Sequence, residues 1–476
     1  MNRQSDCKRL FSILLFSILL FAIWNPFGSA QGMIFPQFPI ARLPITRLRV
    51  APISMKTKVL PLLLAFALLV GNGYAQTIQG YATPNASHVA RAVGTIDEQR
   101  IPTLFNALSG LNENERAGAF GQLHGEAFAT SAMNMVGMQQ VFHRRLPSIW
   151  DRSRSTHREG IHLGHSEPTE LPYLPQDSGG SAFALGSVNI TIGDVGRTHS
   201  RWTAFTGDWL DRRNVGEFGE YSGYDMRSVG VIHASETQIG VNCFSGSALG
   251  YDNVYQQFDT IQSDSRIDIF RLAFYSGSRS GDYYNDSYIG YTRNWSKMRR
   301  KIDMPGFNGV ARSRYTNNMF ALGLDTKRDM RFVGFCLTPS IGMHYIHLSA
   351  LRAVESGADD ANLVANARSF DSVRFPMGAK LSHEFGFCCI VWRPEVRAFY
   401  IREVADASIQ ANTSFRNVRE VPFVADSGKW GRNIGRFGGG LNAQLMDQLN
   451  FRVDYDYELY EYTSASEFGM TLGVKW

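Results

Sequence analysis

Beyond Val70 the chain has no apolar run long enough to cross a membrane as a helix, which takes ~20 residues. That excludes a helical membrane protein for everything downstream. Cysteine is scarce, five in 476 residues. Only Cys243, Cys336, Cys388 and Cys389 follow residue 75, and the adjacent pair would face opposite sides of a strand. A disulfide-built fold is not expected, and spacing alone fixes no connectivity. Acidic residues are nearly missing from the start of the chain. Residues 1–75 hold eight of the 48 Lys and Arg but one of the 43 Asp and Glu. The remaining 40 basic and 42 acidic residues leave a net charge of −2. The basic balance therefore belongs to the leader and gives no case for nucleic acid. No solenoid period is present either.

What is present is alternation. Phe451, Val453, Tyr455, Tyr457 and Leu459 alternate with Arg452, Asp454, Asp456 and Glu458. After a short break, Phe468, Met470, Leu472, Val474 and Trp476 alternate with Gly469, Thr471, Gly473 and Lys475. Period two gives strands with one apolar and one polar face. An apolar outside, a polar inside and interfacial aromatics fit a closed barrel in an outer membrane.

Twelve strands are predicted, near 202–210, 224–234, 238–246, 264–275, 282–294, 313–324, 331–347, 370–382, 388–401, 432–445, 449–459 and 467–476. The fourth is out of phase, because Ile267 and Ile269 do not share a face with Phe270, Leu272 and Phe274. A β-bulge would restore the phase. Connections after even strands are short. Those after odd strands, 211–223, 247–263, 295–312, 348–369 and 402–431, are long except the last, near Thr463. Short periplasmic turns alternating with longer outer loops are the outer-membrane pattern, and a soluble sandwich would not sort its loops by parity. The fold class is thus an all-β membrane protein: a twelve-stranded antiparallel transmembrane β-barrel, preceded by an amphipathic helix and a flexible linker.

The helix is predicted over 112–146. Asn112 and Glu115 form a capping box, and Phe120, Leu123, Ala127, Ser131, Met135, Met138 and Phe142 follow as one apolar stripe until Pro147. Residues 147–200 are rich in Gly, Ser, Pro and His and read as the linker. Upstream, Met55-Lys-Thr-Lys, the Val59–Val70 run and Gly73-Tyr74-Ala75 before Gln76 read as a secretory signal cleaved between Ala75 and Gln76. Residues 1–54 are then an extension from a start placed too far upstream. The rival is an anchor at Leu10–Trp24, a run of about fifteen residues that falls short of a span. The mature chain divides into a short N-terminal segment, 76–111, the helix, the linker and the barrel, 201–476.

The chain resembles the autotransporter (type V secretion) translocator family over roughly residues 104–476. Leu123-His124-Gly125-Glu126-Ala127-Phe128-Ala129 is similar to the family's Leu-x-Gly-Glu-Ala-Tyr-Ala stretch. Trp202 with Gly207, Gly223-Tyr224-Asp225 leading to Gly230, and Ile239-Gly240-Val241 leading to Tyr251 are similar to its first three strands. Leu441, the Val453–Tyr457 strand and Trp476 match its end. The resemblance implies a twelve-stranded barrel whose lumen holds the preceding segment as a helix, and export of an N-terminal passenger. It implies Phe468, Val474 and Trp476 as the barrel-assembly signal, with outer-membrane lipid, the barrel-assembly machinery and periplasmic chaperones as partners and a monomer as the form. Family passengers are commonly long solenoids, whereas here 36 residues precede the helix.

Site candidates follow from charge. Arg374 and Lys380, then Arg393, Glu395 and Arg397, then Arg452, Asp454, Asp456 and Glu458 alternate with apolar neighbours. On the lipid face an Arg or Lys would cost about 2–4 kcal/mol at the midplane, so they point inward, to solvate the wall, grip the helix or guide a polypeptide. No enzyme, cofactor or metal is expected. Asp177-Ser178-Gly179-Gly180 lacks a scaffolded base, and His344 and His347 fall on opposite strand faces. A porin-like channel and an adhesin acting through the long loops are the alternative functions.

Overall fold

Strands of strict two-residue periodicity must pair at both edges to bury their backbone groups, and here they close on themselves. The computed structural model describes residues 83–159, 188–190, 197–214, 220–239, 242–387, 390–445 and 449–475. Twelve antiparallel strands form the wall. They are β1 (Arg197–Arg212), β2 (Tyr224–Ile239), β3 (Cys243–Phe258), β4 (Ser263–Ser280), β5 (Tyr283–Met304) and β6 (Phe307–Arg328). The second half holds β7 (Phe335–Leu348), β8 (Phe370–His383), β9 (Ile390–Glu403), β10 (Asn433–Leu445), β11 (Leu449–Leu459) and β12 (Ser464–Lys475). Each pairs with its chain neighbours, and β12 pairs with β1 from Ala465↔Arg212 to Lys475↔Trp202, which closes the barrel. Closure leaves no open edge in the membrane, the condition a spanning sheet must meet. Phe205, Phe274 and Leu324 are each more than half exposed on the outside, in a band that includes Leu249, Ile289 and Val396. Such a surface suits lipid rather than water.

Three expectations change. The segments 247–263 and 295–312 are mostly strand rather than loop, and β2 continues through 235–237 to Ile239, so the first short connection does not lie there. β5 and β6 run 22 residues each and pair to their tip, Met304↔Phe307. At ~3.4 Å per residue they reach far beyond a bilayer. The turn is Pro305-Gly306, with Gly306 at φ +81, a backbone that glycine adopts without strain. No bulge exists in β4: its registers with β3 and β5 are unbroken. Ile267 and Ile269 face inward and are buried because the lumen at that level is apolar and filled.

The filling is the N-terminal region. The single expected helix is two: α3 (Glu113–Leu123) and α4 (Glu126–Glu159), after α1 (Pro84–Val93) and α2 (Pro102–Ser109). The Asn112 capping box is formed. The break comes at His124, whose ψ of 161 is extended. A Cβ at Gly125 would come within 2.8 Å of Thr413 Cγ2, so the turn passes too close to its neighbour for a larger residue. α4 continues past Pro147 to Glu159.

Two of the connections expected to be long outer loops are not loose. Leu351–Val354, Leu363–Ala367, Gln410–Phe415 and Val418–Asp426 form a separate four-stranded antiparallel sheet. Helices α1–α3 pack on it. Val89, Ile101, Leu104 and Leu123 share a core with Leu363, Phe415 and Phe423 and with Ile302 and Phe307 at the β5–β6 tip. This cap sits at the barrel end opposite the first residues of β1 and the last of β12.

Candidate functional site

The first half of α4 is buried on every side. From Leu123 to His143 every residue but Gly137 is buried. A helix apolar on one stripe would leave its other face wet, so burial all round places this one inside a closed wall. The sequence carries this choice: Ala127, Ala129 and Ala132 are small, and several polar positions of the helix meet inward-facing partners. Gln139 accepts a hydrogen bond from Thr292 on β5 at 2.7 Å and donates to His143 Nε2 at 2.7 Å. His143 Nδ1 then carries the proton and lies 2.7 Å from the Tyr288 hydroxyl. Tyr315 on β6 donates to Ser131 at 3.4 Å. Arg374 on β8 donates to Gln140. Arg271 on β4 stacks over Phe142, with 5.0 Å to the ring centroid.

On the other side the helix enters an ion-pair network. Arg144 pairs with Glu458 on β11 at 3.2 Å and with Glu467 on β12. Arg397 reaches Asp456 at 2.8 Å, Glu395 at 2.7 Å and Asp454 at 3.0 Å. Arg452 reaches Glu395 at 2.7 Å and Asp454 at 2.6 Å. Lys380 lies 3.9 Å from Glu395, and Arg374 pairs with Glu403 at 3.0 Å. Eight of the nine charge candidates thus sit on one stretch of lumen wall. Arg393 does not join it: it pairs with Glu384 in the β8–β9 connection. Sequence reasoning missed Glu403, which it placed beyond the end of a strand, and Glu467, whose phase with Gly469 and Thr471 was the available signal. It also missed Arg144, which stands off the apolar stripe.

The remaining candidates are scattered. Phe468 is on the outer face, with its ring centroid 5.6 Å from that of Trp209. Val474 is paired in register with Thr203. Trp476, Ala75, Gln76 and the Asp177–Gly180 motif lie outside the described residues. His344 pairs with Asp325 in the lumen and His347 with Asp371 on the far face.

The helix meets the cap at one buried joint. Glu126 accepts from the Asn85 side chain at 2.8 Å and from the Ser222 backbone N–H, in the β1–β2 connection, at 2.6 Å. Asn85 also bonds both the N–H and the C=O of Asp426, at 2.8 and 2.9 Å, so it occupies the open edge of the cap sheet as a strand would. Burial, opposed by the Ser222 and Asn85 hydrogen bonds and assisted by Asp426, pushes the Glu126 carboxyl up to about 7. Burial, with Arg300 adding to it, pushes the neighbouring His124 down to about 3. The signs oppose. Glu126 stabilises the joint fully below its ordinary 4.5 and stops doing so as pH rises to about 7. His124 stabilises it above its ordinary 6.5 and ceases to as pH falls to about 3. The two cancel between 4.5 and 6.5. The urea midpoint for cap release is therefore expected to be flat there and to fall on both sides, with Glu126→Gln removing the alkaline fall and turning the flat interval into a rise with pH. A midpoint rising steadily from pH 5 to pH 8 would contradict this.

Residues 202–456, more than half of the chain, match the family described as autotransporter β-domain. Outer membrane protein B of Rickettsia prowazekii is 22% identical over 260 residues, covering 52% of this chain and 16% of that protein. Its counterpart in Rickettsia conorii is 20% identical over 310 residues, covering 63% of this chain and 19% of that protein. The chain spans less than a fifth of the length of these relatives. Among solved structures, the translocator domain of the autotransporter NalP from Neisseria meningitidis aligns with a TM-score of 0.48 and 14% identity, covering 72% of this chain and 98% of that one. The β-domain of the Bordetella autotransporter BrkA aligns with a TM-score of 0.42 and 13% identity, covering 58% and 98%.

Proposed function

The chain belongs to the autotransporter β-domain family, and we propose that its barrel delivers its own N-terminal segment to the cell surface and retains it there as the α1–α3 cap. As a member it is an outer-membrane translocator, and its place is the bacterial outer membrane. The observation that carries the finer reading is α4. It joins a cap at one end of the barrel to a β1 that begins at the other, and its first half is buried on all sides between them. With both barrel termini in the periplasm, the cap is outside. Threading as a helix satisfies the backbone groups of a chain held in a narrow pore. The charges around Arg144 and Arg397 hold the helix, and no reaction chemistry is assigned to them. Reaction of a cysteine at position 113, from Glu113→Cys on the exposed side of α3, with an impermeant maleimide on intact cells tests the reading.

The assembly partners are proposed on the resemblance. Phe468, Val474 and Trp476 would form the end that the barrel-assembly machinery grips after periplasmic chaperones deliver the chain as a monomer. An unpaired β12 edge is an aggregation hazard until β1 closes on it. Deleting Trp476 is expected to reduce the folded, heat-modifiable form in outer membranes sharply, and undiminished folded protein would reject the assignment.

A further inference from the structure

Beside α4 the lumen keeps a cavity of about 200 Å³. Its wall carries Arg144, Arg374, Arg397, Arg436, Arg452 and Lys380. The carboxylates that share the wall are all engaged. Asp454 and Asp456 hold Arg397, Glu395 holds Arg397 and Arg452, and Glu467 holds Arg144. Across the cavity Asp325 holds His344, and Asp329 accepts from Thr338 at 2.9 Å.

Arg436 is the exception. It is 9% exposed, and its Nε is buried with no hydrogen-bond partner. Among the described residues no carboxylate pairs with its guanidinium, which stacks over Phe399 with 4.7 Å to the ring centroid. Its cross-strand partner on β11 is Glu458. That carboxylate accepts its hydrogen bonds from other groups: it takes the Arg144 guanidinium at 3.2 Å and the Tyr460 hydroxyl at 2.5 Å. A buried cation without an acceptor is costly, and the cost falls when an anion accepts from the planar fork.

We propose that Arg436 anchors a binding site for a small oxyanion in the lumen cavity beside α4. Stacking on Phe399 fixes the guanidinium plane, and the side chain lines the cavity, so an anion there can accept from its terminal nitrogens. The cavity has room for a phosphate or a carboxylate and no room for a folded chain. The site goes beyond translocation: it makes the seating of the helix sensitive to the anion beside it.

The test uses the full chain folded in detergent. Thermal unfolding is followed while inorganic phosphate, or acetate in a second arm, replaces chloride at constant ionic strength. A saturable rise in the unfolding temperature with phosphate is expected, and acetate acting in its place assigns the site to carboxylates. Arg436→Gln is expected to raise the half-saturating concentration by about tenfold or more, the effect of losing a charge-assisted pair of hydrogen bonds. In crystals of the unaltered protein soaked in selenate, an anomalous selenium peak is expected against the Arg436 guanidinium, a readout that does not depend on the variant folding. No saturable rise with either anion, an equal rise in Arg436→Gln or, where phosphate is the anion that acts, no selenium peak at Arg436 would each overturn the site.

Discussion

Removing residues 83–159 opens the pore: conductance of the refolded barrel in planar bilayers is expected to rise by about an order of magnitude or more over that of the intact chain, because ion flow follows the free cross-section of the lumen. A twelve-stranded wall encloses more space than its own inward side chains fill, unlike an eight-stranded one. Here that space is taken by α4. Phe128, Met135 and Phe142 pack among Ile232, Ile267 and Ile269 on one side of it, and Arg144 closes the charged side. The cap-sheet strands at the mouth belong to the barrel connections and stay in the shortened protein, so the change reports the helix. Equal conductance with and without the segment would mean that the helix does not occupy the lumen in the membrane.

Replacing Arg397 by alanine is expected to cost the barrel about 3–5 kcal/mol, the penalty for stranding buried carboxylates by removing their partner. Arg397 is 10% exposed at its side chain and serves Glu395, Asp454 and Asp456 together. Urea midpoints of the folded barrel measure the loss. The pairing of Arg397 with Asp456 through both Nε and Nη2, at 2.8 and 2.9 Å, makes it the strongest single link. Arg397→Leu combined with Asp456→Leu should therefore cost less than the two single changes added together. A loss below about 1 kcal/mol for Arg397→Ala, the range of exposed surface pairs, would show that this part of the lumen is open to water.

Strand count, pairing direction and the inward sense of the charges were legible because period-two alternation is local. Asp454, Asp456 and Glu458 declare their face through Val453, Tyr455 and Tyr457 with no knowledge of the rest of the chain. Two kinds of feature were not legible. The first is where alternation is broken by what fills the barrel. Ile267 and Ile269 look like a slipped phase, yet they face an apolar stretch of α4 that the local pattern cannot reveal. The same cause hid the burial of the first half of α4 on all sides, since Thr130, Asn134 and Gln139 read as a solvent face until the wall supplies their surroundings. The second is where a strand outruns the membrane. In Asp252–Phe258 and Trp295–Met304 polar residues stand on both faces, so the segments read as loops. Pairing continues because Gln256, Asn294 and Arg300 are buried beneath the cap. The cap sheet itself joins strands about fifty residues apart, from Leu351–Val354 to Gln410–Phe415 by way of Leu363–Ala367. No local signal specifies such pairing.

The proposed function places the N-terminal segment outside the cell, on a helix that fills the barrel. It is tested most directly by thiol labelling of intact cells expressing Glu113→Cys, with the labelled peptides identified after digestion. Position 113 is exposed on the cap, and the native Cys243 is exposed at the opposite end of the barrel. An impermeant maleimide is expected to modify position 113 on intact cells and to reach Cys243 only after the outer membrane is breached. Labelling of Cys243 with position 113 protected would contradict that placement, because the cap would then be periplasmic.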